Sequence, residues 1–336
     1  MPRVSVLLPV RDAEATLRAC LDSLAAQTLG DHEVVAVDDG SEDGSAALLL
    51  ARARVDPRLR VVRTPRRGLV GALSVALAEA RAPLVARTDA DDLARAPRLA
   101  RQAERLEQDP EVDVLGCRVA LAPSPGAGAG EGMRAYVEWQ NALVDHEAMA
   151  RDRFVESPLV HPSVAARTAT LRRLGGWRDF DGPEDYDLWL RGFDAGLRFA
   201  KLAETLLEWR DSPCRLTRTD PRYAPGRFLA LKLEALGREA LAGRRAVVVW
   251  GAGPVGKAWS RALRAAGHEV RAFVEVDPRK VGGRLHGVPV VAVAEAGRLR
   301  GPLHLAAVGQ KGARERIRAE AARLGLADGV DLIAVA

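Results

Sequence analysis

The length and composition of the chain limit what class of protein it can be. With 336 residues, 48% of them hydrophobic, it is large enough to bury two cores, and its apolar runs stay short of the roughly 18 residues that span a bilayer. The net charge of +5 comes from 50 basic residues set against 45 acidic ones. The sequence has no basic stripe with interleaved aromatic residues, so we expect no nucleic-acid partner.

The N-terminus and the cysteines indicate the compartment. Residues 1–4 lack the apolar core of a secretory signal. Cys20, Cys117 and Cys214 are far apart and have no C-x-x-C spacing, so we predict unpaired thiols, with neither disulfide bonds nor a zinc site. We therefore expect a cytoplasmic protein, and peripheral contact with anionic lipid at the inner face of the membrane stays open.

The first hundred residues alternate between buried strands and amphipathic helices. We predict strands at residues 4–10, 33–37, 60–63 and 84–86, and helices at 13–26, 44–54, 69–80 and 95–108. Alternation of this kind is typical of a parallel α/β sheet, in which ligands bind beyond the carboxyl ends of the strands. Polar groups follow three of the predicted strands, at residues 9–12, 38–41 and 89–92. The sequence therefore predicts a nucleotide site at that edge, beside the basic turn at 65–68.

The segment Asp89-Ala90-Asp91-Asp92 concentrates negative charge directly after a predicted strand. If it is extended, Asp89 and Asp91 face one ligand and Asp92 turns aside. Two carboxylates about 4 Å apart repel by about 4 kcal/mol at an effective dielectric constant near 20. A hard divalent cation of the Mg²⁺ or Mn²⁺ type would relieve that repulsion. The alternative is an acidic loop before a helix, with Asp92 placed favourably for the helix dipole.

Asp39 also lies at a predicted strand end, where a ribose or base could be hydrogen-bonded. The alternative role for Asp39 is helix capping, shared with Ser41 or Asp43.

Three segments, 6–12, 37–45 and 86–92, together resemble the motifs of family 2 glycosyltransferases in order and spacing, and the resemblance covers roughly residues 1–215. It implies the GT-A nucleotide-diphospho-sugar transferase fold, a mostly parallel sheet flanked by helices. By resemblance, the donor-binding residues are Pro9, Val10, Arg11, Asp39, Arg67, Asp89 and Ala90. Among these, Asp39 would contact the nucleoside and Arg67 a phosphate. Asp91 would hold the metal that bridges the diphosphate.

Two departures from the family pattern restrict what can be transferred. Asp12 stands where Asn is more usual, and Ser74 replaces an Asn that is common in the helix after the basic turn. Base and sugar preference therefore do not carry over.

The second half of this region should build the acceptor side. We predict a helix at 133–150 and a strand at 201–210, with a Pro/Gly/Ala-rich loop at 122–132 between the two halves. His161 and Trp177 are acceptor-side candidates, and His161 could also approach the metal. A hydrogen-bonded structural role for His161 is the alternative.

Glu184 and Asp185 follow Pro183, which fits a helix N-terminus, where negative charge is favourable. The pair also resembles the catalytic E-D motif of the family. An inverting transfer needs a base that takes the proton of the incoming hydroxyl, and the resemblance assigns Asp185 to that role, with Glu184 orienting the acceptor or the base.

Residues after 222 form a second domain in this interpretation. We expect a glycosyltransferase domain at 1–222, a linker helix at 223–243 and a Rossmann-like domain at 244–336. Gly251, Gly253 and Gly256 lie between a predicted strand and helix, and Glu275 ends the next strand, as in a dinucleotide fingerprint. The domain resembles the N-terminal domain of sugar O-acyltransferases. It would hold NAD(P) or another nucleotide, or its glycines serve only tight packing.

The sequence thus predicts an inverting glycosyltransferase that uses Mn²⁺ or Mg²⁺ and takes a nucleotide-sugar, with a UDP-sugar as one candidate. The acceptor would be a glycan or a lipid-linked molecule in polysaccharide or cell-envelope biosynthesis. Two alternatives remain open: an NAD(P)-dependent nucleotide-sugar oxidoreductase or epimerase, and a non-catalytic scaffold of a polysaccharide assembly.

Overall fold

The computed structural model of the chain describes residues 1–122, 130–212 and 215–336. Most of the predicted loop at 122–132, and Cys214, lie outside these residues. Contacts divide the chain into two compact units. The first contains residues 1–149 and 158–222, and the second contains residues 150–157 and 223–336.

The first unit is built on an eight-stranded sheet in the order β3-β2-β1-β4-β7-β6-β8-β5. Strands β1 to β4 run parallel, β6 is parallel to β8, and β7 and β5 are antiparallel to their neighbours. The strands are β1 (Val4–Val10), β2 (His32–Asp39), β3 (Leu59–Thr64), β4 (Leu84–Arg87), β5 (Leu93–Ala94), β6 (Val114–Ala122), β7 (Ala165–Arg167) and β8 (Phe199–Arg210).

Helices cover both faces of this sheet. The helices of this region are α1 (Glu14–Ala25), α2 (Ser45–Ala53), α3 (Gly68–Glu79), α4 (Arg98–Gln108), α5 (Glu131–Ala142), α6 (His146–Asp152), α7 (Thr168–Arg173), α8 (Glu184–Asp194) and α9 (Leu216–Thr219). Apolar residues of α1, α2 and α4 form one core with Val6 and Leu8 of β1. Those of α3, α7 and α8 form another core with Leu7. Alternate residues of one buried strand therefore serve two cores, as expected for a sheet covered on both faces.

Three local predictions differ from the structure. The helix predicted at 133–150 is interrupted between α5 and α6, where the carbonyl of Val144 accepts a hydrogen bond from Lys201 N of β8 at 2.9 Å. Helix α4 begins three residues later than predicted because Arg95 N bonds to Leu206 O of β8, next to strand β5, and Pro97 disfavours a helical backbone at Ala96. Strands β5 and β7 have only two and three residues, too few for an alternating pattern to identify.

The second unit contains a six-stranded sheet in the order β11-β12-β10-β9-β13-β14. All pairs except β11–β12 are parallel. Its strands are β9 (Ala246–Trp250), β10 (Glu269–Glu275), β11 (Arg284–Leu285), β12 (Val288–Ala292), β13 (Leu303–Ala306) and β14 (Leu332–Ala334), and its helices are α10 (Pro225–Arg238), α11 (Pro254–Ala265), α12 (Val293–Ala296) and α13 (Ala313–Arg323). This order, with helices between parallel strands, is a doubly wound α/β arrangement.

Residues 150–157 contribute to this second unit, although the sequence analysis groups them with residues 1–222. Asp152 is 3% exposed and pairs with Arg318 of α13, and Arg314 lies 3.8 Å away. Lys232 of α10 donates a hydrogen bond to the carbonyl of Val155. An eight-residue segment from the middle of the sequence is thus packed against helices near its end. Among the residues described, no helix combines the length and apolar character needed to cross a bilayer.

Candidate active site at the carboxyl ends of the strands

Three carboxylates come together just beyond β4. One oxygen from each of Asp89, Asp91 and Asp92 lies within 4.8 Å of the others. The expectation that Asp92 turns aside assumed an extended chain, but β4 ends at Arg87 and the amide of Asp92 bonds to the carbonyl of Asp89 at 3.2 Å. This tight turn brings the third carboxylate into the cluster.

The three carboxylates of this cluster repel one another, and a bound cation would reduce that repulsion. Burial, together with the charge of Asp89, raises the pKa of Asp91 to about 6. Burial also raises the pKa of Asp92 well above its usual range, with further contributions from Asp89 and Asp91. Oδ1 of Asp92 accepts a hydrogen bond from Arg210 N at 2.9 Å, whereas its buried Oδ2 has no hydrogen-bond donor among the described residues. An all-oxygen donor set with one unsatisfied buried oxygen fits Mg²⁺ or Mn²⁺.

Arginine side chains compensate part of this charge. Arg87 pairs with both carboxylate oxygens of Asp89. Arg215 stacks over the ring of Trp209 at 4.0 Å, and its charge lowers the pKa of Asp91. Sequence analysis did not identify Arg87 as part of the site. The position of Arg87, two residues before Asp89, was the available signal for it.

A buried network fixes the backbone of the acidic loop. Arg98 has no solvent exposure and donates hydrogen bonds to Arg87 O at 2.7 Å and Thr88 Oγ1 at 3.0 Å. Burial lowers the pKa of the Arg98 guanidinium. The thiol of Cys20 on α1 donates to Asp89 O at 3.3 Å. These hydrogen bonds therefore fix the main chain of Arg87 and Asp89, on which the cluster is built.

Asp39 ends β2 and is 3% exposed. Its two carboxylate oxygens accept hydrogen bonds from Arg67 N at 2.7 Å and Gly68 N at 2.8 Å, at the start of α3. Gly68 has a φ of +76°, which a residue without Cβ adopts readily. Asp39 thus fixes the turn that carries the exposed Arg67 side chain, and it caps α3 rather than the helix that directly follows it. On the other side, Arg11 donates from Nη1 to Asp39 O at 3.3 Å.

The loops after β1 and β2 cap each other's helices. Glu14 N donates to Asp43 Oδ2 at 2.9 Å, and Gly44 N donates to Glu14 Oε2 at 3.0 Å. Asp12 has a φ of +46°, and its Oδ1 accepts a hydrogen bond from Glu42 N at 2.8 Å. Asn and Asp tolerate this left-handed backbone better than other residues with a side chain. Asp at position 12 therefore meets the same conformational need as the Asn that is more usual there.

Glu184 and Asp185 begin α8, and Glu184 is buried with 2% exposure. Nδ1 of His161 lies 3.7 Å from Glu184 Oε1. Nε2 of His161 accepts a hydrogen bond from Trp177 Nε1 at 2.9 Å. Because Nε2 is the acceptor, a neutral His161 carries its proton on Nδ1, towards Glu184. Asp185 Oδ1 accepts a hydrogen bond from Tyr186 N at 2.7 Å.

The surroundings of His161 keep it neutral. Burial lowers its pKa well below the usual value, and the positive charge of Arg87 lowers it further. Arg87, His161, Trp177 and Trp189 line one small internal cavity. The side chain that pairs with Asp89 and the side chain beside Glu184 are therefore neighbours in the first unit.

An ion-pair network that the sequence analysis did not identify supports the segment before α8. Asp187 has no exposure and accepts hydrogen bonds from Arg178 Nε at 3.0 Å and Arg191 Nε at 2.8 Å. Arg191 also donates to the carbonyls of Leu174 and Gly176. The i,i+4 spacing of Asp187 and Arg191 on one helix is a signal that could have found this pair.

In the second unit, the predicted glycine motif lies between β9 and α11. A Cβ on Gly256 would lie 1.9 Å from Gly251 O, and Gly251 itself has a φ of +103°, so close packing requires both glycines. A Cβ on Gly253 would meet nothing within 4 Å. Glu275 Oε2 accepts hydrogen bonds from Ala252 N at 3.1 Å and Lys280 Nζ at 3.2 Å. Packing therefore explains Gly251 and Gly256 but not Gly253.

Comparison with known proteins connects the first unit to a family. The sequence model of glycosyl transferase family 2 matches residues 5–163. The amylovoran biosynthesis glycosyltransferase AmsE of Erwinia amylovora is 31% identical over 209 residues, which cover 61% of this chain and 75% of that protein. The putative glycosyltransferase EpsE of Bacillus subtilis (strain 168) is 28% identical over 230 residues, covering 66% of this chain and 78% of EpsE.

A solved structure supports the fold. The crystal structure of S. aureus TarS residues 1–349 in complex with UDP-GlcNAc aligns with a TM-score of 0.57 and 21% identity, over 72% of this chain and 67% of that one. This likeness and the family match confirm the predicted GT-A fold. The resemblance of the second unit to sugar O-acyltransferases stays a prediction. On the strength of the family match and the identity with AmsE, this chain is a glycosyltransferase that belongs to glycosyl transferase family 2.

Proposed function

We propose that this glycosyltransferase inverts the anomeric centre, depends on a divalent cation, and transfers a sugar from a nucleotide-sugar to a glycan or lipid-linked acceptor. The observation that carries the proposal is the cluster of Asp89, Asp91 and Asp92 just beyond β4, with an unsatisfied buried oxygen on Asp92. The name of AmsE supports a role in polysaccharide biosynthesis. The UDP-GlcNAc bound to TarS supports a UDP-sugar as the first donor to test.

The donor would lie across the carboxyl ends of β1, β2 and β4. In this proposal Pro9, Val10, Arg11 and Asp39 contact the nucleoside, and Asp89 and Ala90 lie along the ribose and diphosphate. The exposed Arg67 side chain, carried by the turn that Asp39 fixes, meets a phosphate. Arginine suits that contact because its guanidinium can donate two parallel hydrogen bonds to phosphate oxygens.

A cation at this site would be held by Asp91, with Asp89 and Asp92 within reach of the same position. When bound, it supplies positive charge that stabilises the departing diphosphate. Arg87 and Arg215 already offset part of the negative charge of the cluster.

Proton transfer is assigned to the start of α8. The acceptor hydroxyl attacks the anomeric carbon from the face opposite the diphosphate, and Asp185 takes the proton of that hydroxyl. Glu184 orients the acceptor or the base. His161, with its proton on Nδ1, holds the Glu184 carboxylate from one side, and Trp177 fixes the tautomer of His161. Trp177 is 5% exposed and His161 is 6% exposed, so any contribution of theirs to acceptor binding would act through Glu184.

A second candidate activity belongs to the second unit. The open space at Gly253, with Glu275 at the end of β10, favours a nucleotide such as NAD(P) there, as in an oxidoreductase or epimerase acting on nucleotide-sugars. The sequence has no Tyr-x-x-x-Lys pair to support that chemistry.

Thermal stabilisation by a panel of ligands tests the proposal. The panel contains nucleoside diphosphates, nucleotide-sugars and NAD(P), each with and without Mn²⁺. A ligand at about 100 times its dissociation constant adds about 2.7 kcal/mol to the free energy of unfolding. We expect a Mn²⁺-dependent rise in Tm with one nucleoside diphosphate.

Two variants sharpen this experiment. Asp91→Asn should abolish the Mn²⁺-dependent rise. Asp22→Asn, which removes the exposed carboxylate of α1 that pairs with Arg52 of α2, should keep it. A rise with NAD(P) alone that is indifferent to Mn²⁺ would instead favour the second candidate activity. Unchanged metal dependence in Asp91→Asn would remove Asp91 from the cation site.

A further inference from the structure

The charge of the chain is unevenly distributed. Residues 223–336 contain 19 lysines and arginines against 10 acidic residues, a net charge of +9. Residues 1–222 contain 31 basic against 35 acidic residues, a net charge of −4. The overall excess of positive charge therefore comes entirely from the C-terminal third of the sequence.

Much of this positive charge lies at one edge of the second sheet. Because β12, β10, β9, β13 and β14 are parallel, the residues that precede them meet at the same edge. Basic residues lie before β9 and β13, at the end of α11 before β10, and in the β11–β12 hairpin. We call these six arginines the basic edge: Arg244, Arg245, Arg264, Arg284, Arg298 and Arg300.

Contacts show that this edge is continuous. Arg264 donates to His286 O in the hairpin at 3.1 Å. Arg244 donates to Val330 O, ahead of β14, at 3.2 Å. Five parallel strands about 4.8 Å apart give the basic edge a length of about 20 Å.

The charges of the basic edge are not neutralised within the protein. Over the described parts of the chain, none of the six arginines has a carboxylate oxygen within 4.0 Å, and all except the half-buried Arg244 are exposed. The nearby Glu269 pairs with Arg271 instead, and Asp331 accepts a hydrogen bond from Ala327 N. At the opposite edge, by contrast, Arg279 and Lys280 are paired with Asp277 and Glu275.

We propose that the basic edge is a docking surface for a negatively charged lipid membrane. A row of unpaired arginines about 20 Å long matches an extended anionic surface better than a compact ligand, because the charges do not converge on one point. Val330, 59% exposed beside Arg244, adds an apolar side chain to the same edge, as interfacial surfaces commonly do.

The aromatic residues of β9, β10 and α11 favour lipid over single-stranded nucleic acid as the partner. Trp250, Trp259 and Phe273 are all buried. They are therefore not available to stack on bases, which is a main source of affinity for single strands.

Co-sedimentation of the full chain with lipid vesicles tests the proposal. The vesicles are pure phosphatidylcholine, or phosphatidylcholine containing one third phosphatidylglycerol, and no donor or acceptor is added. We expect binding to the anionic vesicles only, weakening as salt is raised, because exposed charges are screened over about 10 Å at 0.1 M salt. Equal binding to neutral vesicles, or no binding to either, would overturn the proposal.

A triple variant locates the surface. Arg245→Gln, Arg264→Gln and Arg298→Gln together should weaken binding to anionic vesicles about 10- to 100-fold. Arg244, Arg284 and Arg300 are left intact. Of the three replaced arginines, Arg264 alone donates a side-chain hydrogen bond among the described residues, to the carbonyl of the exposed His286. The matched control, Lys257→Gln, Lys311→Gln and Arg316→Gln, removes the same charge near the carboxyl edge and should retain most of the binding. An equal loss in the control would show that net charge, and not the basic edge, drives binding.

Three further measurements keep the result decisive. Equal Tm values for the two triple variants and the parent chain confirm folding, and if the edge variant is unstable, the single variants Arg245→Gln and Arg298→Gln replace it. Tighter binding to duplex DNA or RNA than to anionic vesicles at the same salt would reassign the edge to nucleic acid. The parent chain could instead self-associate in sedimentation velocity and bind no vesicles. If the edge variant then no longer self-associates, the basic edge is a contact surface for a second copy of the chain.

Discussion

His161 shows how single buried residues can order a charged site. It lies 3.7 Å from Glu184 and lines the same small cavity as Arg87, which pairs with Asp89. Because burial and Arg87 lower its pKa well below the usual value, His161 adds no charge of its own at neutral pH. Because Nε2 of His161 accepts a hydrogen bond from Trp177, the single ring proton of His161 is on Nδ1, on the side of Glu184. We infer that its contribution is to fix the direction of a hydrogen bond.

The assignment of Asp185 as the base gives a prediction for a single residue. If Asp185 accepts the proton of the acceptor hydroxyl, Asp185→Asn should lower turnover about 100- to 10,000-fold, because an amide cannot take that proton. Donor affinity should change little. The measurement is the initial rate of sugar transfer at saturating donor, together with donor affinity from the thermal shift.

The control for this prediction is Asp194→Asn, which removes a carboxylate at the other end of the same helix. It should keep near-normal turnover. Near-normal turnover in a folded Asp185→Asn protein would show that another group acts as the base.

Among the elements, strand β8 carries an unusual buried cation. Lys201 is 6% exposed and donates from Nζ to the carbonyls of Gln140 and Pro158. Burial lowers its pKa to about 7, whereas the pKa of an exposed lysine in an unfolded chain is 10.5. Lys201 can donate hydrogen bonds to both carbonyls whether it is charged or neutral, because the neutral amine still carries N–H groups.

This pKa predicts a pH-dependent stability. Between about pH 7 and 10.5 the unfolded chain holds a proton that the folded chain has lost, so the free energy of unfolding should rise with pH, by at most about 1.4 kcal/mol per pH unit. Below pH 7 both states are protonated and Lys201 contributes no slope. Urea unfolding of the parent chain and of Lys201→Met at pH 7, 8 and 9 measures the difference. Identical slopes in the two proteins would show that Lys201 titrates normally in the folded state.

The elements also show what sequence patterns can and cannot reveal. The buried strand β1 has the predicted bounds, residues 4–10, because it is an apolar run ended by a charged residue. The partners of Asp39 could not be predicted, since its carboxylate bonds to amides 28 and 29 residues away.

Within the candidate site, the motifs singled out Asp89 and Asp91, which the structure brings together with Asp92, but not how these carboxylates are held. The turn that brings Asp92 into the cluster, and the contact of His161 with Trp177 sixteen residues away, both depend on tertiary packing. Local periodicity carries no information about such contacts.

At the scale of the whole molecule, the second unit depends on a segment from the middle of the sequence. Asp152 lies between Arg314 and Arg318 of α13 and is 3% exposed. Removing one partner of a buried ion pair leaves an uncompensated charge, which typically costs about 3–5 kcal/mol. Asp152→Asn should therefore destabilise the second unit by a few kcal/mol.

Chemical denaturation followed by fluorescence and by hydrogen exchange of β9 and β13 measures this effect. The control Glu320→Gln breaks the exposed Arg323–Glu320 pair on the same helix and should change stability by less than about 1 kcal/mol. Equal, small effects of the two substitutions would show that residues 150–157 are dispensable for the second unit.

The second unit is built from two separate stretches of the sequence, and this affects how such proteins can be recombined. A gene joint placed at residue 222 would separate α13 from Asp152, because eight residues of the C-terminal unit are encoded inside the glycosyltransferase region. A transplanted C-terminal third would lack residues 150–157, which pack against its helices, and the enzyme it came from would keep that segment without its partners. We therefore expect the two units to be inherited together, and exchange of the C-terminal unit between enzymes to succeed only when residues 150–157 are exchanged with it.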